Sequence, residues 1–181
     1  MTLTFTELAE RVREQIGQEH RYAHSVRVAR CAEILAMRHG VNARQARIAG
    51  MLHDLARLYG AERLIAESQA RGFTISAAER DHPTLLHARL GAALARERFG
   101  IEDPEVLSAI EKHTLGADEM SPLDCVVFLA DSLEPNRSFA ERKELWELAL
   151  RDLRAATRET MRLGNVHHAR KRAHMEVSAS S

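Results

Sequence analysis

Five helix-forming stretches of this chain each place one imidazole or carboxylate on an otherwise apolar face. In the first, His24, Val28, Cys31 and Leu35 stand at i, i+4, i+7 and i+11. Ala49, His53 and Ala56 share a face in the next, with Leu52 adjacent. His87, Leu90 and Leu94 repeat the pattern, followed by Val106, Ile110 and His113, then by Leu123, Val127 and Asp131. Apolar recurrence at this spacing marks the buried side of a helix. A polar group on that side resists burial unless something satisfies it. One such histidine is ordinarily a hydrogen-bonded core residue, but five helices doing the same thing independently point to a shared partner. The fold must bring five helical faces to one polar point.

A metal centre would satisfy all of them together, because imidazole nitrogens and carboxylate oxygens suit Fe, Mn, Zn, Ni or Co. Neutral histidines would supply affinity and orientation, and aspartates would offset the charge of the cation. Adjacent helical residues diverge by ~100°, so His53 and Asp54 do not both face one atom. An ion beside the helix accommodates that divergence, as do two ions with Asp54 between them. A pair of ions ~3.5–4 Å apart clamps a phosphoryl group and generates hydroxide.

Helix signals recur from end to end and strand signals are nearly absent, which predicts a single all-α domain over residues 1–165. A capping box at Thr4–Glu7 opens a first helix to about Gln15. A second runs from about Arg21 to His39 and stops at Gly40. Asn42 opens a third, expected to carry His53 and Asp54 within it. A fourth spans about Ala61–Ala70, "SAAE" suggests a short capped turn, and another helix runs from about Thr84 to Phe99. Pro104 and Pro122 each mark a first helical position, and Pro135 stops the helix that holds Asp131. "SFAE" (Ser138–Glu141) reads as a capping box opening one long final helix to about Leu163. That makes about seven or eight helices. The tail 166–181 lacks an apolar period and is expected to be disordered. His39 and the tail residues His167, His168 and His174 are expected to face solvent.

Composition narrows the function classes. With 26 basic and 26 acidic residues the formal net charge is zero, so no nucleic-acid partner is expected. No apolar run approaches the ~18 residues of a membrane span, and the first residues do not resemble a signal peptide. Cys31 and Cys125 sit apart in helical apolar patterns and read as reduced buried thiols, which predicts a cytoplasmic protein.

The order His24, His53-Asp54, His87, His113, Asp131 resembles the HD-domain metallohydrolase superfamily. The words "EHRYAHSVRVA", "AGMLHDLAR", "LLHARLGA", "AIEKHTLGADEMSPLD" and "FLADSLEPNR" are similar to one family within it. That family is the bacterial symmetrical diadenosine tetraphosphate (Ap4A) hydrolases of the YqeK type, and the similarity runs over roughly residues 18–165. The resemblance implies an HD-domain helical bundle around a metal site. It implies that His24, His53, Asp54 and Asp131 hold one divalent ion and that Asp54, His87 and His113 hold a second, with Asp54 as the bridge. The implied metal is iron foremost, with Mn, Ni, Co or Zn as alternatives. A water or hydroxide bridging the two ions would attack a phosphate and yield two ADP. Asp54 and Arg57 are the implied catalytic pair, and His20, Arg21, Arg57, Asn136 and Arg137 the implied substrate contacts. The family usually has Lys where this chain has Arg57, so a planar guanidinium replaces a point charge there. Thr114 and His82 read equally well as site residues or as ordinary loop residues. Overlapping readings are another HD-type phosphohydrolase acting on a nucleotide, ppGpp or a cyclic dinucleotide, a di-iron oxygenase, or a non-catalytic nucleotide-binding module. The substrate class expected is a dinucleoside polyphosphate or another nucleotide, and either a monomer or a homodimer is compatible.

Overall fold

A computed structural model describes residues 4–164, so the expected disorder of 166–181 and the histidines at 167, 168 and 174 lie outside the described residues. The described chain is helical, with no strand. The elements are α1 (Phe5–Ile16), α2 (Glu19–His39), α3 (Ala43–Leu52), α4 (Ala61–Ala70), α5 (Ala77–Asp81), a 3₁₀ turn (Pro83–Leu85), α6 (Leu86–Phe99), α7 (Pro104–Lys112), α8 (Pro122–Leu133) and α9 (Arg142–Arg151). A tenth helix, α10, covers 153–164.

Local chemistry explains most boundaries. The Thr4–Glu7 capping box forms, and Ser76–Glu79 and Ser121–Asp124 form two more. Each satisfies backbone N–H groups that the first turn leaves free. Asn42 caps α3 and Asp103 caps α7 ahead of Pro104. Gly40 ends α2 at φ 67°, and its N–H closes on the carbonyl of Ala36.

Three expectations require correction. First, α3 ends at Leu52, so His53 is its C-terminal cap and Asp54 lies in the turn that follows. At this end His53 Nδ1 donates to Gly50 O at 2.8 Å, the carbonyl that the Asp54 N–H would take in a continuing helix. The chain then tightens into i→i+3 bonds, Leu55 to Leu52, Arg57 to Asp54 and Tyr59 to Ala56. Second, Ser138 forms no capping box: residues 134–141 are a loop, and α9 begins at Arg142 with no side-chain cap. Third, the last helical run is two helices, broken at Asp152 (φ −142°, ψ 97°). Asp152 Oδ1 accepts from Ala155 N at 2.9 Å and so acts as the N-cap of α10. Asp152→Ala should remove ~1 kcal/mol of stability, the usual worth of an N-cap, read as a lower urea midpoint with an unchanged m-value.

The core sits between α2, α3, α7 and α8. Helix α2 packs on both α3 and α8, α7 packs on α6 and α8, and α4 covers α6. Leu35, Leu52, Leu90, Ile110 and Leu129 are fully buried there, each contributing ~1.5–3 kcal/mol of apolar transfer. The α2–α3 crossing is unusually close, because a Cβ on Gly50 would lie 2.9 Å from the Cα of Ala29. No helix among the described residues is long and apolar enough to cross a membrane. Cys31 and Cys125 are buried free thiols, as the periodicity predicts. His39 departs from expectation: it is half-buried, and its ring Nε2–H donates to Ala149 O at 2.6 Å, tying α2 to α9.

Candidate metal centre

The six predicted ligands meet. His24 comes from the second turn of α2, His53 and Asp54 from the end of α3 and its turn, and His87 from the first turn of α6. His113 is the C-terminal cap of α7, and Asp131 lies in the last turn of α8. Most of these positions are helix ends. There a side chain can reach inward past its own helix without displacing the apolar packing of the middle turns.

The geometry divides about Asp54. Its Oδ2 is 3.6 Å from His53 Nε2 and 3.8 Å from His24 Nε2. Its Oδ1 is 3.5 Å from His87 Nε2 and 3.8 Å from His113 Nε2. Asp131 Oδ1 joins the first half only in close contact, at 3.0 Å from His24 Nε2 and 3.7 Å from His53 Nε2. The two halves touch, since the His53 and His113 rings stand edge to face with centroids 4.8 Å apart. All four histidines are buried, His53 completely.

Each imidazole has its outer nitrogen committed. Nδ1–H donates to a main-chain carbonyl three residues earlier in three of them: Gly50 for His53 (2.8 Å), Thr84 for His87 (2.5 Å) and Ile110 for His113 (2.6 Å). His24 differs, because its Nδ1 donates to the carboxylate of Glu134 at 3.2 Å. These bonds fix the tautomer of His53, His87 and His113 and turn their Nε2 lone pairs inward, while His24 turns Nε2 toward Asp131 Oδ1 at 3.0 Å.

Electrostatics favour ionised acids here, and burial pushes two of the four imidazoles toward the neutral form. Burial drives His113 down to about 3, and it lowers His87 as well, where the positive charge of Arg57 acts in the same direction. Burial also pushes His24 down, but the hydrogen bond and charge of Asp131 overcome it and leave His24 raised. Burial works to raise Asp54, and the surrounding histidines, His53 first, leave it lowered. Asp131 is held well below the ordinary carboxylate range against burial by its bond to His24 and the charges of His53 and Arg137.

A divalent cation fits this arrangement. The Nε2 atoms of His87 and His113 are 3.1 Å apart, and both rings already spend their proton on a carbonyl. Two lone pairs face each other in a buried place with one hydroxyl, Thr114 Oγ1, at 3.2 and 3.1 Å. A single hydroxyl proton does not satisfy two acceptors. A cation does, and a donor set of imidazoles and carboxylates selects a first-row metal over Mg or Ca. Two overlapping trios have donor atoms within 4.8 Å of one another: His24, His53 and Asp131, and His53, Asp54 and His113.

The predicted substrate contacts divide. Arg21 Nη1 stands 3.8 Å from Asp54 Oδ2, and its Nε is buried without a hydrogen bond. Arg57 is half-buried in the turn after Asp54 and has no carboxylate partner among the described residues, which leaves its charge available at the site. Arg137 pairs with the carboxylate of Asp131 and donates from Nε to the Asp131 carbonyl at 2.9 Å. It is therefore the ion-pair partner of a candidate ligand. The Asn136 side chain is exposed, and its backbone N–H donates to Glu134 Oε2 at 2.9 Å. His20 is exposed, with no hydrogen bond or ion pair to the cluster among the described residues. His82 is an exposed loop residue. Glu134, which no apolar helical stripe picks out, also reaches the cluster through His24, and its signal in the sequence is an acid at a helix end immediately before Pro135.

Comparison with known proteins places the chain. The HD domain family matches residues 21–136, a span that holds all six clustered side chains. The chain belongs to the HD-domain family. Among the relatives of this HD domain is the symmetrical bis(5'-nucleosyl)-tetraphosphatase of Bacillus subtilis, 38% identical over 80% of this chain and 77% of that protein. The protein of the same name from Halalkalibacterium halodurans is 38% identical over 76% of this chain and 73% of that protein. A solved structure of a predicted HD superfamily hydrolase involved in NAD metabolism, from Clostridium acetobutylicum, superimposes with a TM-score of 0.81 at 33% identity, covering 86% of this chain and 82% of that one.

Proposed function

We propose that this HD domain hydrolyses diadenosine tetraphosphate at its central anhydride, adding water and releasing two ADP. The observation that carries the reading is Asp54, whose two oxygens face different pairs of histidines. In this reading His24, His53, Asp54 and Asp131 hold one divalent ion, and Asp54, His87 and His113 hold the other, with iron foremost and Mn, Ni, Co or Zn as alternatives. Bound in such a pair, the ions neutralise phosphate oxygens and lower the pKa of water.

The chain supplies the rest. The Nδ1 hydrogen bonds hold four rings in register, so donor positions are set before substrate arrives. Asp54 keeps a negative charge where the two half-sites meet. Arg57, Arg21 and Arg137 provide positive charge for a polyphosphate, which carries more negative charge than two ions neutralise. Arg57 offers a planar fork to phosphate oxygens and stabilises the departing ADP oxygen. Were Asp131 to hold a cation, Arg137 would be free to exchange its contact with that carboxylate for phosphate. The place of cleavage follows from how these arginines seat the chain of phosphates. Reduced thiols at Cys31 and Cys125 fit work in the cytoplasm.

The product assay tests the reading. Protein loaded anaerobically with iron is incubated with diadenosine tetraphosphate and the nucleotides are separated. ADP alone is expected. ATP with AMP would mean asymmetric cleavage, and no turnover by fully loaded protein would hand the site to another nucleotide.

A further inference from the structure

Glu134 is a glutamate buried to 2% exposure, beyond the six side chains of the metal cluster. Its Oε1 accepts from His24 Nδ1 at 3.2 Å and from Arg27 Nη2 at 3.4 Å. Its Oε2 accepts from Arg27 Nε at 2.6 Å and from the Asn136 backbone N–H at 2.9 Å. Arg27 is one turn beyond His24 on α2, while Glu134 is the first residue after α8. This carboxylate therefore joins the two helices that supply His24 and Asp131.

The contrast with the other histidines is what gives Glu134 a role. His53, His87 and His113 are fixed by main-chain carbonyls, which accept whatever side chains surround them. His24 alone depends on a side chain for its tautomer. We propose that Glu134, locked by Arg27 and the Asn136 N–H, is a positioning residue that keeps the His24 proton on Nδ1 and its Nε2 free to bind a cation. This rests on the reading that His24 is a metal ligand.

The lock makes a sharp prediction for Glu134→Gln, which is nearly isosteric. The two short bonds, at 2.6 and 2.9 Å, converge on the Oε2 position, against contacts of 3.2 and 3.4 Å at Oε1, so the amide places its oxygen at Oε2. Its NH₂ then faces His24 Nδ1 and demands an acceptor. The His24 proton is driven to Nε2, where it blocks a cation. A second-sphere partner of a histidine ligand is typically worth about 10- to 100-fold in metal affinity.

The test is Zn²⁺ and Mn²⁺ titration of the metal-stripped full chain against a competing chelator, with thermal unfolding of the stripped protein alongside. Glu134→Gln should weaken the affinity about 10- to 100-fold while the stripped protein unfolds close to the wild-type temperature. Arg27→Met keeps the carboxylate but removes one of its two locks, so it should weaken affinity in the same direction by less. Arg27→Met decides the matter should Glu134→Gln fail to fold. Wild-type affinity in a folded variant overturns the inference, as does a fall in unfolding temperature with affinity unchanged, which is the mark of a purely structural bond. Failure of the wild-type chain itself to bind either ion would instead overturn the metal reading on which this one stands.

Discussion

Asp54→Ala is expected to abolish metal binding and turnover together. The carboxylate is 7% exposed and lies within 3.8 Å of all four imidazole Nε2 atoms. Among the described residues no other carboxylate lies so evenly between the two halves of the cluster. Asp131 makes its close contacts with His24 and His53. Removing Asp54 leaves two sets of neutral nitrogens with no negative charge between them, and two cations held there would repel each other unscreened. The expected loss is on the order of 10³-fold or more in kcat/KM, equivalent to ~4 kcal/mol of transition-state stabilisation. Asp54→Asn separates charge from shape, because its amide keeps the volume and one acceptor oxygen. It should fold normally, bind less than one ion per chain and remain inactive. Full activity in either variant would sink the bridging role. The measurements are metal content after desalting and release of ADP from diadenosine tetraphosphate.

Gly50→Ala should be the most damaging small substitution in the fold. Glycine to alanine inside an exposed helix normally gains ~1 kcal/mol. Here the added Cβ would lie 2.9 Å from Ala29 Cα, 3.0 Å from Ala29 N and 3.2 Å from Val28 C. All three atoms are backbone, so no side chain can rotate away and α3 must move off α2. Overpacking of this kind costs ~1–3 kcal/mol, or a drop of ~2–12 °C in Tm for a domain of this size. The effect reaches the metal centre, because the Gly50 carbonyl receives the Nδ1 proton of His53. Displacing α3 also separates His53 Nε2 from His24 Nε2, now 3.3 Å apart. Thermal unfolding should therefore fall and metal affinity weaken in the same variant. A Tm at or above wild type would show that the crossing is looser than its geometry indicates.

Most of the fold was legible because helix signals are local. Thr4, Asn42, Pro104 and Pro122 act within one turn of themselves, so capping chemistry and apolar period located their helices to within a residue or two. The failures have equally definite causes. Ser138 is followed three residues later by Glu141, yet the box does not form. Glu134 is drawn inward to His24 and Arg27, and Arg142 reaches back to the Leu133 carbonyl at 3.0 Å, so 134–141 closes as a loop. Asp152 falls inside the single final helix that the local pattern predicts, and it is a cap because the chain turns there. His53 and His113 fit a helical stripe by spacing, yet both are C-terminal caps whose Nδ1 bonds a carbonyl of the last turn.

The sequence by itself determined which residues could make the site. A polar group on an apolar helical face is a contradiction in one dimension, and five such contradictions name His24, His53, His87, His113 and Asp131, with Asp54 beside them. Only the tertiary structure decided how they divide, that each Asp54 oxygen faces its own pair, and that a buried Glu134 stands behind His24. The reason is the length scale of the interactions. Periodicity and capping act over three or four residues, whereas His24 and Glu134 are 110 positions apart and His53 lies 29 from His24. Those distances are set by how closely α2 crosses α3 and α8, and a crossing depends on the volume of every side chain between the helices.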